Sequence, residues 1–134
     1  MEWTLEVVLV PVSDLDRAKE FYSERLRFAV DVDAQMDDEH RLIQLTPPGS
    51  RCSIHLQTGS MGMTPGSQGS LTLVVADIDA AHAELVGRGL DVSNVGHYEG
   101  MDFVDGKGDT WNSFIRFTDP DGNEWAVQES PPDR

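Results

Sequence analysis

A short pattern occurs twice in this chain, at an interval of 63 residues. Val12-x-Asp14-Leu15-Asp16-x-Ala18 falls on Val75-x-Asp77-Ile78-Asp79-x-Ala81, and Arg25 falls on Arg88. A repeat of this kind means that one supersecondary unit is used twice, each copy too small to bury its apolar face alone. Each copy opens on an apolar run with strand character, Leu5 to Val12 and Ser70 to Val75. An acidic or hydroxylic cap follows, Ser13 or Asp14 in the first copy and Asp77 in the second, with Asp16 in the first turn suited to a helix N-terminus. Leu15, Ala18, Phe21, Tyr22 and Leu26 recur at helical spacing and predict an amphipathic helix of about three to four turns. Ile78, Ala81 and Leu85 do the same in the second copy, with Gly89 as the residue that ends the helix.

Three further strands are expected in each copy. In the first they are Phe28 to Ala34, Arg41 to Leu45 after a charged loop, and Cys52 to Gln57 after the Pro47-Pro48-Gly49 turn. Residues 59–69, rich in Gly, Ser, Met and Pro, read as a linker. In the second copy they are Asp91 to His97, Trp111 to Thr118 and Glu124 to Gln128, with Tyr98 to Thr110 read as a long acidic, glycine-rich loop. The expected organisation is a single domain over 1–134: module one at 1–58, the linker, and module two at 70–130. The fold class is α+β, two tandem βαβββ modules forming a concave sheet with helices on its outer face.

Charge excludes some partners. The chain carries 24 acidic and 10 basic residues, a net charge of −14. That balance argues against nucleic acid and anionic membrane surfaces as partners. The longest apolar run, Val7 to Val12, is too short to span a bilayer. Met1-Glu2-Trp3-Thr4 has no basic stretch leading into an apolar one, and Cys52 has no second cysteine to pair with, so a cytoplasmic location is expected.

Asp119-Pro120-Asp121-Gly122 reads as a type I turn between two alternating runs, hence a β-hairpin. Together with the duplication and with Val12-Ser13-Asp14-Leu15-Asp16-Arg17-Ala18-Lys19-Glu20-Phe21-Tyr22, Thr118-Asp119-Pro120-Asp121-Gly122-Asn123 resembles the vicinal oxygen chelate superfamily of glyoxalases, bleomycin-resistance proteins and extradiol dioxygenases. The resemblance covers almost the whole chain. It implies the fold more firmly than the function, because this fold hosts enzymes and pure binding proteins alike.

In the enzymes of this family a divalent metal sits on four strand positions occupied by His, Glu or Gln. Carried over, those positions are Val7, His55, Ser70 and Ala126. Only His55 is a good ligand, with Glu124 two residues from the last position, so no metal and no cofactor are expected. Period-2 alternation instead predicts an apolar and aromatic cleft with a few polar groups. Its expected ligand-binding residues are Trp3, Leu5, Val7, His55, Gln57, Ser70, Thr72, Phe114, Arg116 and Gln128, joined by the loop aromatics Phe103 and Trp111. For Trp125 core packing is expected, and His40, His82 and His97 are expected at the surface.

Two functions follow from the resemblance. One is a metal-free protein that binds an aromatic or cationic small molecule, an antibiotic or metabolite, as bleomycin-resistance proteins do. It would be a homodimer whose linker at 59–69 permits arm exchange. The other is a glyoxalase- or dioxygenase-like lyase or isomerase, using His55 with a non-standard metal set or as a metal-free base, with Arg116 steadying an oxyanion. The expectation favours the first, with no catalytic residue assigned.

Overall fold

Asp14 and Asp77 start the two helices in the same way. Each sits in extended backbone and accepts from the backbone N–H three residues on, Arg17 and Ala80, at 3.0 Å. The computed structural model describes residues 1–134. In chain order its elements are β1 (Val7–Leu9), α1 (Leu15–Glu20), which continues as a π-helical turn (Phe21–Arg25), β2 (Ala29–Gln35), β3 (Arg41–Thr46) and β4 (Ser53–Gln57). After a 3-10 segment (Thr58–Gly62) come β5 (Leu71–Val75), α2 (Ile78–Gly87), β6 (Gly96–Glu99), β7 (Asp102–Asp105), β8 (Phe114–Thr118) and β9 (Glu124–Glu129). No helix is long and apolar enough to cross a membrane.

The strands form two sheets, of order β1-β4-β3-β2 and β5-β9-β8-β6-β7, rather than one. The class is α+β as expected, and the same plan underlies both sheets. The first strand of each copy pairs in parallel with the last, β1 with β4 and β5 with β9, and the other ladders are antiparallel. The second copy carries one strand more than expected. The segment read as a loop from 98 to 110 holds the β6–β7 hairpin, and the strand expected at 91–97 is instead β6, beginning at Gly96. The first strand is also shorter than expected, because Trp3 and Leu5 lie ahead of β1.

The chain divides into two compact units, one of residues 1–68 with 119–123 and the other of 69–118 with 124–134. In unit 1, Val10, Ala18, Tyr22, Ile43, Leu45 and Leu56 are fully buried and form the core under α1. The 119–123 turn belongs to this core. The Asp119 backbone N–H donates to Asn123 O at 3.0 Å, and Gly122, at φ +96°, closes the turn by donating its N–H to Asp119 O at 3.0 Å. The Tyr22 hydroxyl donates to Asp119 Oδ2 at 2.6 Å, and Asn123 Nδ2 donates to Pro11 O at 2.8 Å and to Asp119 Oδ2 at 2.7 Å. Each buried polar group is thus satisfied, which is what lets it be buried. The linker at 59–69 opens with left-handed backbone at Gly59, Ser60, Met61 and Gly62. Ser60 Oγ steadies it by accepting from Val12 N at 3.1 Å.

In unit 2, Ile78, Ile115, Phe117, Trp125 and Val127 are buried on the helix side of the sheet. Trp125 stacks on Phe117 with ring centroids 6.1 Å apart, the core role expected of it. Alternation then leaves Ser70, Thr72, Phe114, Arg116, Glu124 and Ala126 on the other face.

Candidate functional site

Gly96 shapes the open face of unit 2. A Cβ there would lie 2.5 Å from Phe103 Cζ, so the Phe103 ring rests where a side chain would be. Across the β6–β7 ladder Phe103 pairs with Tyr98, and their rings are 5.2 Å apart. Tyr98 also meets Phe114 edge-on at 5.4 Å. These separations are those of favourable aromatic pairs. Asn112 fixes Tyr98 by bonding both its backbone N–H and its carbonyl, each at 2.9 Å. The Arg116 guanidinium lies over the Phe103 ring, 5.7 Å from its centroid. A cleft of about 520 Å³ opens beside this group, lined among others by Ser70, Thr72, Tyr98, Phe114, Arg116 and Glu124. That is the size and make-up of a small-molecule site.

Five expected residues therefore share this face: Ser70, Thr72, Phe103, Phe114 and Arg116. Two others do not. Trp111 lies ahead of β8, in left-handed backbone (φ +64°). It lines a separate groove with Asp77, Asp79, Lys107 and Glu129, where its ring lies 5.4 Å from the Arg134 guanidinium. Gln128 spends its side-chain amide on Trp111 O at 2.8 Å. Tyr98 was not among the expected residues; the turn signal in Glu99-Gly100-Met101-Asp102, between two short alternating runs, is what could have found it.

His97 supports the same hairpin from behind. Its Nδ1 lies 2.7 Å from Gly106 O and its Nε2 3.1 Å from Glu99 Oε1. Two acceptors favour the ring with both nitrogens protonated, so the Gly106 carbonyl, and then the Glu99 carboxylate, hold its pKa above the ordinary value. Gly108 packs against the ring's root, where a Cβ would come within 2.7 Å of His97 Cβ.

The open face of unit 1 carries Val7, His55 and Gln57. Val7 pairs with Ser53 and Leu9 with His55 in the β1–β4 ladder. His55 Nε2 lies 2.9 Å from Gln44 Oε1. An amide oxygen only accepts, so Nε2 is the donor in this bond. The chain of bonds continues from Gln44 Nε2 to Ser53 Oγ at 3.4 Å, to Thr46 Oγ1 at 2.6 Å, and to the Asp31 carboxylate. Gln44 is the member of this chain that alternation alone did not single out. Trp3 and Leu5, expected beside Val7, stand 86% and 69% exposed outside the strand.

These residues do not fit a divalent metal. Val7 and Ala126 have no donor atom, Ser70 offers a neutral hydroxyl, and His55 Nε2 is committed to Gln44. No three His, Cys, Asp or Glu side chains gather as a metal-holding group.

Known proteins share this architecture. TnmS3, an antibiotic binding protein from Streptomyces sp. CB03234, is 33% identical, with a TM-score of 0.76 over 96% of this chain and 97% of its own. A glyoxalase/bleomycin resistance protein from the same Streptomyces strain is 34% identical, with a TM-score of 0.72 over 93% and 99%. YetH of Bacillus subtilis (strain 168) is 25% identical over 91% of this chain and 94% of its own length. Residues 4–127 match the family model, and the chain belongs to the Glyoxalase/Bleomycin resistance protein/Dioxygenase superfamily.

Proposed function

We propose that this chain is a metal-free binding protein that holds an aromatic small molecule, an antibiotic or a metabolite, on the open face of unit 2. The observation that carries the reading is the group of Tyr98, Phe103 and Phe114 beside a cleft of about 520 Å³. Flat aromatic surface and a few hydroxyls suit stacking and orientation, and no nucleophile–base pair lines the cleft. Likeness to an antibiotic binding protein at 33% identity supports it. An aromatic ligand fits this face better than a simple cation, because the group nearest the rings is itself a cation, Arg116.

The partner proposed for the chain itself is a second copy, in the cytoplasm, with exposed Trp3 and Leu5 as apolar surface for that contact and the 59–69 segment as the place where an arm could exchange. The test of binding uses N-phenyl-1-naphthylamine, a neutral aromatic probe whose fluorescence rises on leaving water. Saturable binding at one probe per chain is expected, together with a raised melting temperature. Phe114→Ala should weaken it at least fivefold. No saturation, or an affinity indifferent to Phe114, would sink the proposal.

One observation favours a second reading. The bonds from His55 through Gln44, Ser53 and Thr46 to Asp31 fix the imidazole by its Nε2 and leave Nδ1 outside that chain, where it can face a substrate proton. Turnover of a bound compound that His55→Ala abolishes, with binding retained, would establish that reading instead.

A further inference from the structure

We infer that the aromatic cleft of unit 2 selects ligands bearing an acidic group, a phenolate, carboxylate or sulfonate, and that Arg116 is the anchor for that group. The inference rests on the reading of this cleft as an aromatic-ligand site and names the class of ligand it takes.

The chain has only 10 basic residues against 24 acidic ones. In such a protein a cation has acidic partners on every side, and five of the basic residues have taken one: Arg17, Lys19, Arg41, Arg88 and Lys107. Arg116 has not. It is exposed on β8, its side chain enters no ion pair or hydrogen bond, and its guanidinium lies over the Phe103 ring. Two carboxylates, Glu124 and Asp91, line the same cleft without reaching it. In the β8–β9 ladder Arg116 faces Ala126 and Glu124 faces Thr118, so Glu124 is the diagonal neighbour of Arg116 on the same face, yet no ion pair joins them.

A guanidinium that lies over an aromatic ring keeps its N–H donors at the edge of its plane, where a carboxylate or sulfonate can take two of them at once. Phe103 is itself held by Tyr98 and by the missing side chain of Gly96, so Arg116 rests on a fixed support. An acidic substituent is drawn to Arg116 and repelled by Glu124 and Asp91, which line the same cleft, and this favours one orientation of the bound ring. The overall charge of −14 opposes anions from a distance, so any preference for one must be local to this residue.

A matched pair of probes tests this on the full chain at 0.15 M salt. 1-Anilinonaphthalene-8-sulfonate carries the ring system of N-phenyl-1-naphthylamine plus one sulfonate. The sulfonate should bind at least tenfold tighter than the neutral probe. Arg116→Gln should bring the ratio of the two affinities to within twofold of one, whatever it does to the neutral probe alone. Arg116→Lys should restore part of the sulfonate's advantage, since it returns charge without the planar pair of donors. Circular dichroism and a melting curve confirm that each variant is folded. Equal affinity for the two probes, or a loss on Arg116→Gln shared equally by both, overturns the anionic preference and leaves the aromatic site standing. If neither probe binds the wild-type chain, the site and the preference fall together.

Discussion

Substituting Gly96 by alanine tests the geometry of the aromatic group at its root. Gly96 is not in left-handed backbone, so the demand for glycine there is one of space. The new methyl would lie 2.5 Å from Phe103 Cζ, 2.6 Å from its Cε2 and 2.9 Å from Val104 O. Ordinary carbon contacts begin near ~3.5 Å, so the ring must move by about 1 Å. The ring can swing away, but the Val104 carbonyl belongs to the paired strand and can yield only if the ladder shifts. Overpacking of this kind destabilises by about 1–3 kcal/mol. For a chain of this size that is a fall in melting temperature of roughly 4–12 °C. Probe affinity should fall as well, because the displaced ring no longer sits between Tyr98 and Arg116. The decisive assay is a double-mutant cycle with Phe103→Ala. With the ring gone, alanine at 96 no longer meets the two Phe103 carbons, so its penalty should shrink by at least ~0.5 kcal/mol. An unchanged melting temperature for Gly96→Ala, or strictly additive penalties, would refute the placement of Phe103 over Gly96.

Tyr22→Phe deletes the 2.6 Å bond to Asp119 in a fully buried setting, and urea unfolding should show a loss of about 1–3 kcal/mol at unchanged slope; a loss below ~0.5 kcal/mol would contradict the bond. Arg41, and then Lys19, hold the Asp33 carboxyl far below its ordinary pKa. The stability this gives is present above the unfolded value near ~3.9 and is lost as pH falls further, so the penalty of Asp33→Asn should be full at pH 7 and shrink in acid. Melts of both proteins across that range read it, and a penalty constant with pH would refute the pairing. The raised pKa of His97 has the opposite sign: its contribution is full below about pH 6.5 and fades as pH rises through the folded value. His97→Gln should flatten the stability profile above that pH, and a variant as steep as wild type would exclude His97 as its source.

The paired plan of the fold was legible because its signals are local and repeated. Asp14 and Asp77 are caps at matching places, and Asp119-Pro120-Asp121-Gly122 admits little but a turn. The β6–β7 hairpin was not legible in the same way. Its strands are four residues each and its sequence is rich in Gly and Asp, so composition spoke for a loop while the pairing of Tyr98 with Phe103 decided for a sheet. Site residues on regular strands, such as Thr72 and Arg116, could be assigned to a face by alternation alone. Trp111 could not, because it lies outside β8, where alternation assigns no face. Gln44 shows a further limit. Its importance lies in a partner eleven residues away, across a strand pair whose register the sequence does not state.

The 119–123 turn has a consequence for how the chain is made. It closes the core of the unit that begins at residue 1, through bonds that reach back 97 residues to Tyr22 and 112 residues to Pro11. During synthesis that first unit therefore lacks the bonds from Asp119 to Tyr22 and from Asn123 to Pro11 until residue 123 has left the ribosome. Domains that fold as they emerge escape such an interval, whereas this one stays open to aggregation and to capture by chaperones throughout it. Loss of the turn by truncation would make that waiting state permanent. A ribosome-bound chain halted before Asp119 should accordingly be protease-sensitive in its first 68 residues, and one halted well beyond Asn123 should not.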